Sequence, residues 1–278
     1  MDSFTLDSHS LHRQGKAKMH DFIRKIAPSR WSSWDWCRED FRPVDAWLKK
    51  HPNVIRKGSY ISHTLGKEVW KLRLPKNFGI KNIVYKFYDF SREDPLKRLG
   101  FSAGFFDVAN GSFLQGIGIQ VPDILACGEY RQFGFVKSAY VIMEFIEETY
   151  DGSLLTPAGA FIDKSRIRMG FGFKVMEQFA RLHLSGFYYN HFHSHSILIP
   201  KSCDEDNPTL IWTDVAGCKL RSSLLAHKYI PRDLVHFFVE LRYDTEQIHT
   251  LCEHYLKFNT HSKFTVSSLW KTMLAIKH

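Results

Sequence analysis

Apolar and polar positions alternate early in the chain and become helical later. From "NVIRKGSYISHTLGKEVWKLRLP" to "NIVYKFYDF" (53–90) the residues alternate, are rich in β-branched and aromatic side chains, and are broken by Gly and Pro. A period of two predicts half-buried strands, here three antiparallel ones. "DPLKRLGFSAGFFDVANGSFLQGIGI" suits a helix better than a strand, while "VPDILACGEY" and "SAYVIMEFI" predict two further strands. The period then changes. "SRIRMGFGFKVMEQFARLHLSG" (165–186) predicts a helix stopped by Gly186. "SILI" and "TLIWTDV" predict short strands around the polar turn "PKSCDEDNP", and "PRDLVHFFVELRY", "TEQIHTLCEHYLKF" and "TVSSLWKTMLAIKH" are helical. The pattern is α+β: an extension (1–51), a β-rich lobe (52–145) and a helical lobe (146–278). Within the extension, residues 1–20 read as polar and loose. "WSSWDWCREDFRPVDAWLKKHP" (31–52) reads as a helical cover on the first lobe, or as an aromatic, basic segment lying on a membrane surface.

Composition narrows the function classes. The 278 residues are 44% apolar and 24% charged, enough for a sizeable core. The net charge of +9 favours anionic partners such as nucleotides, phosphorylated sugars or a membrane surface. The basic residues are scattered without a Lys/Arg block, which disfavours nucleic acid. Five cysteines without C-x-x-C spacing read as free thiols in a reducing compartment. "MDSFTLDSHSLHRQGKAKMH" has no apolar signal core and no stretch approaches a membrane span, so a cytoplasmic protein is expected.

The densest candidate chemistry is "GFYYNHFHSHSILIP" (186–200), where His191, His193 and His195 alternate. In an extended segment, alternate residues share a face. Their spacing of about 6.5–7 Å serves two ligands of one metal ion but makes three awkward, and no Cys or Glu lies close in sequence to complete the set. His183, in the preceding helix, reads as a packed residue.

The order of these elements, with Lys86 in "NIVYKFYDF", Asp107 in "GFFDVANG", Asp214 in "LIWTDVAGCKL" and Asp233 in "IPRDLVHFF", resembles the two-lobed protein-kinase-like fold, with a β-rich N-lobe and a helical C-lobe. More narrowly it is similar to the bacterial lipopolysaccharide-core kinases, the Kdo and heptose kinase group, over roughly residues 52–245. The resemblance implies ATP and Mg²⁺ as cofactors. Lys86 would bind phosphate and Asp107, although one methylene shorter than Glu, would steady it. Gly58 would lie in the loop over the phosphates, though a turn glycine reads the same way. Met143 would border the adenine pocket and Glu144 to Ile146 would lie along it; a buried strand is compatible with this. Asp214 would hold Mg²⁺. Asp233 would support the catalytic loop from the start of a helix.

Aligning the flanks of that loop puts His191 where the family carries its catalytic Asp, and Ser196 where it carries a metal-binding Asn. A neutral imidazole can accept a proton but brings no negative charge to orient a hydroxyl beside Mg²⁺. Two expectations follow: a sugar kinase acting with His191 as base on a phosphorylated sugar or glycolipid at the inner membrane, or a pseudokinase that binds a nucleotide or a partner without transfer.

Overall fold

The structure is a computed structural model describing residues 7–64, 66–160, 165–189, 192–221 and 225–276. It forms two compact units. One comprises Met19–Gly111 and Pro122–Ile146; the other comprises Met1–Lys18, Ser112–Val121 and Glu147–His278.

The first unit is built on an antiparallel sheet of β1 (Trp34–Cys37), β2 (Ser59–Thr64), β3 (Lys67–Arg73), β4 (Asn82–Asp89), β5 (Ile124–Gln132) and β6 (Phe135–Glu144), in the order β1-β5-β6-β4-β3-β2. Period-two alternation gives it two apolar faces. Leu72, Ile83, Ala126 and Ile142 pack with Phe41 and with Val44 and Leu48 of α2 (Arg42–Lys50). The short α3 (Asn53–Arg56) then leads into β2. On the opposite face Tyr88, Cys127, Val141 and Met143 pack with Phe105, Val108 and Ala109 of α4 (Ala103–Gly116).

Two expectations are corrected here. Of residues 1–20, those from Ser8 onward are not loose but belong to helix α1 (Ser8–Ile26), and residues 1–6 lie outside the described residues. Leu11, Met19, Phe22, Ile23 and Ile26 recur at helical spacing, which is lost to the eye among the Lys, Arg and His residues between them. Leu11 and Ile26 are buried. Gly15 belongs to the same stripe; a Cβ there would come within 2.7 Å of the Phe113 ring, so the bare backbone permits the approach. The Trp-rich segment is helical only in its second part. Trp34–Cys37 instead pairs with β5, Trp36 opposite Cys127, and the Trp34 indole N–H donates to Glu129 Oε2 at 3.1 Å.

The second unit carries α5 (Ser165–Leu184), α6 (Ala226–Leu241), α7 (Thr245–Phe258) and α8 (Val266–Leu274). Gly186, at φ 74°, ends the α5 segment in a conformation suited to glycine. An Asp244–Gln247 capping box opens α7 by satisfying backbone N–H groups that a helix start leaves unpaired. Two small sheets accompany the helices. β7 (Thr149–Asp151), β9 (Ile197–Pro200) and β10 (Ile211–Trp212) run in the order β10-β9-β7, and β8 (Phe187–Tyr188) pairs with β11 (Lys219–Leu220). Phe179, Phe192, Trp212 and Phe237 form an aromatic core with ring centroids 5.2–6.3 Å apart. No helix of the described residues is long and apolar enough to cross a membrane.

Candidate active site

Strand alternation puts Val84, Lys86 and Tyr88 of β4 on the sheet face covered by α4. An ammonium directed there leaves water and requires a charged partner. Lys86 Nζ lies 2.7 Å from Asp107 Oδ2, with side-chain exposures of only 5% and 2%. The same oxygen accepts from the Tyr88 hydroxyl at 3.2 Å. One helical turn after the start of α4 is therefore close enough for the shorter carboxylate to reach the strand. Tyr88 escapes a motif-based reading, although its place two residues after Lys86 puts it on the same face.

The remaining predicted residues of this unit are spread along the sheet. Gly58 does not lie in the β2–β3 turn. It precedes β2, where a Cβ would meet Leu72 Cδ2 at 2.4 Å and the Lys71 carbonyl at 2.8 Å, so its bareness serves packing. The turn glycine is Gly66, at φ 77°. Met143 is buried in β6 opposite Val84. Glu144 is exposed at the strand end and its N–H donates to the Asp123 carbonyl at 2.9 Å. Ile146 is half-buried beyond the strand.

In the helical unit, Ser196 and Asp214 are drawn together by the β9–β10 pairing. The Ser196 carbonyl accepts from the Thr213 N–H at 2.7 Å and from the Thr213 hydroxyl at 3.1 Å, and Asp214 is the next residue. Asp214 has φ 55° and ψ 50°, a left-handed conformation that Asp tolerates better than most side chains. The Tyr189 hydroxyl donates to its carbonyl at 3.3 Å.

The loop containing His191 is fastened at both flanks. Asp233, fully buried in α6, accepts the Tyr189 backbone N–H at 2.9 Å and contacts His183 Nε2 at 3.2 Å. His183 Nδ1 lies 2.9 Å from the Tyr255 hydroxyl, which also accepts from the Asn259 side-chain amide. Burial holds the Tyr255 phenol well above its usual range, so it remains a donor. Donation by Tyr255 to Nδ1 leaves the proton on Nε2, directed at Asp233. His183 is thus a packed, hydrogen-bonded helix residue, as its sequence context suggested, and Asp233 supports the loop. Beyond the loop, Phe192 is buried against Phe237 with centroids 5.2 Å apart. His191 itself lies outside the described residues.

Sequence reading also missed Glu240. Its Oε1 accepts the Ser194 N–H at 2.8 Å and the Ser194 hydroxyl at 2.7 Å, across 46 positions of sequence. No local pattern signals a partner so distant.

No family model matches the sequence, and no curated protein matches it. Among solved structures, one described as "WaaP in complex with acyl carrier protein" matches with a TM-score of 0.58 over 85% of this chain and 92% of that one, at 12% identity. The chain has a WaaP-like, protein-kinase-like fold. At this identity the likeness is one of fold. The antiparallel sheet unit and the helical unit described above are its two parts, so the resemblance read from Lys86, Asp107, Asp214 and Asp233 and the comparison of folds arrive at the same architecture.

Proposed function

We propose that the protein is an ATP-dependent phosphotransferase of the lipopolysaccharide-core kinase type, with an altered catalytic loop. The observation that carries this reading is the buried Lys86–Asp107 pair, 2.7 Å apart, in a chain whose fold is like that of WaaP. Lys86 would neutralise nucleotide phosphate, oriented by Asp107. Asp214, with Ser196 beside it in the paired strands, would supply oxygen ligands to Mg²⁺. Because the Glu144 N–H donates to Asp123, the Glu144 carbonyl is the group it could offer an adenine, with Ile146 farther along. Met143 would wall the base.

The ion would screen phosphate charge, and His191 would take the proton of the attacking hydroxyl as the γ-phosphoryl group leaves ADP. The acceptor would be a phosphorylated sugar or glycolipid, met by a basic cytoplasmic protein at the inner-membrane surface. Incubation with Mg-ATP and core oligosaccharide, followed by mass analysis, tests transfer. A product heavier by one phosphate is expected, and it should depend on His191.

One observation favours a second reading. Histidine stands at 191, where the resembling family carries a carboxylate. Loss of a general base typically costs about 10²–10⁴-fold in rate. Mg-dependent nucleotide binding without a phosphorylated product would mark a pseudokinase.

A further inference from the structure

From Phe192 to Ser196 buried and exposed residues alternate: Phe192, Ser194 and Ser196 point inward, while His193 and His195 point outward. The two imidazoles are nearly parallel, with centroids 5.2 Å apart and planes 12° apart. Glu240, in the last turn of α6, stands beside them. Its Oε1 is fixed by the two Ser194 hydrogen bonds, and Oε2 lies 3.8 Å from His193 Nδ1. One donor atom from each of His193, His195 and Glu240 falls within 4.8 Å of the others.

The geometry points to a binding site for a divalent transition-metal ion, of which Zn²⁺ is the best fit, formed by His193, His195 and Glu240. Two imidazoles and a carboxylate form a nitrogen–oxygen set of borderline softness that leaves a fourth position for water. Bonds of about 2.0–2.1 Å place tetrahedral ligands roughly 3.4 Å apart. The donors must therefore close by about 1.5 Å, which side-chain rotation of two exposed rings can supply, while the carboxylate is already oriented by Ser194. As a plain surface ion pair the same residues would contribute little. As ligands they would tie the turn before β9 to α6. This set differs from the oxygen ligands proposed for Mg²⁺ at Asp214 and Ser196, and the inference does not rest on the kinase reading. It also resolves the difficulty of three alternating histidines on one ion: the third ligand comes from a helix 45 residues after His195.

The test uses the full chain stripped of metal and titrated with Co²⁺, then Zn²⁺, without nucleotide. Visible absorption of bound Co²⁺ and the melting temperature are read together. The expected result is saturable binding of one Co²⁺, displaced by Zn²⁺, with a rise in melting temperature, since an ion that binds the folded state stabilises it. The His193→Ala/His195→Ala chain should bind at least about 100-fold more weakly, and Glu240→Gln at least about tenfold. His261→Ala, at an exposed position elsewhere, should leave binding unchanged. Melting of each metal-free variant separates a folding defect from loss of ligands, and the exposed histidines can be replaced without disturbing a core. Absence of binding by the parent chain, or equal binding by the double histidine variant, would overturn the site. Equal binding by a folded Glu240→Gln chain would overturn its assigned third ligand.

Discussion

Among the described residues, two buried ion pairs lie in the sheet unit, and they are built differently. Glu129 and Arg131, two residues apart on β5, have fully buried side chains with Nη2 and Oε2 2.6 Å apart. Arg131 also donates to the carbonyls of Arg30, Gly100 and Gly134 at 2.9–3.0 Å, while Glu129 accepts from the Ser102 N–H and the Trp34 indole. The planar guanidinium thereby ties β5 and the turn after it to two distant segments, at Arg30 and Gly100. Lys86 and Asp107 join one strand to one helix through a compact ammonium. The contrast teaches that burial alone does not mark a functional charge. The Arg131 charge is held largely by backbone carbonyls, whereas the Asp107 carboxylate takes Lys86 and Tyr88 side chains from one strand.

The largest expected effect is on the first pair. Arg131→Met leaves a buried carboxylate without its cation and should cost about 3–5 kcal/mol in chemical denaturation. Adding Glu129→Leu should not restore the loss, because the carbonyls of Arg30, Gly100 and Gly134 and the Ser102 N–H still lack these partners. Lys86→Met should also destabilise, for the same reason of an uncompensated charge. Here the double variant Lys86→Met/Asp107→Leu should recover part of that loss, because it removes both charges while leaving the Tyr88 hydroxyl without Asp107. If both doubles recover equally, the comparison fails.

Glycines sharpen the same distinction between packing and chemistry. Gly58→Ala should cost about 1–3 kcal/mol through the contacts with Leu72 and the Lys71 carbonyl, measured by thermal melting. Gly79→Ala should cost about 1 kcal/mol, since a Cβ there meets nothing within 4 Å and only its φ of 73° is strained. The smallest effect concerns Glu177. Burial works against its charged form, but hydrogen bonds from His254 and Lys174 prevail and hold its carboxyl below the usual range. A depressed folded-state value stabilises above the unfolded pKa, and that contribution disappears as pH falls through the folded value. Glu177→Gln should therefore narrow the stability difference between neutral and acidic denaturation curves.

Most elements were legible because their periods were regular. The alternation of β2 to β4 and the long period of α5 survive without tertiary help, and Gly186 marks a stop. Helix α1 was not, because its apolar stripe is thin and Gly15 contributes by having no side chain. Strand β1 is four residues long and takes its conformation from pairing with β5, information that lies 89–95 residues away. At the site, the distance between Lys86 and Asp107 became readable only once α4 lay on the sheet. Gly58, expected in the loop over the phosphates or in a turn, packs ahead of β2 instead, because sequence alone does not say whether missing bulk serves a loop or a contact. The partners of Ser194 and Tyr189 come from α6, at Glu240 and Asp233, and no local spacing encodes them.

Titration of Mg-ATP into the parent chain and into Lys86→Met/Asp107→Leu, followed by calorimetry, tests the central claim most directly. The account predicts saturable, Mg²⁺-dependent binding by the parent and binding at least about tenfold weaker by the folded double variant. Equal binding by the two chains, or none by the parent, would contradict it.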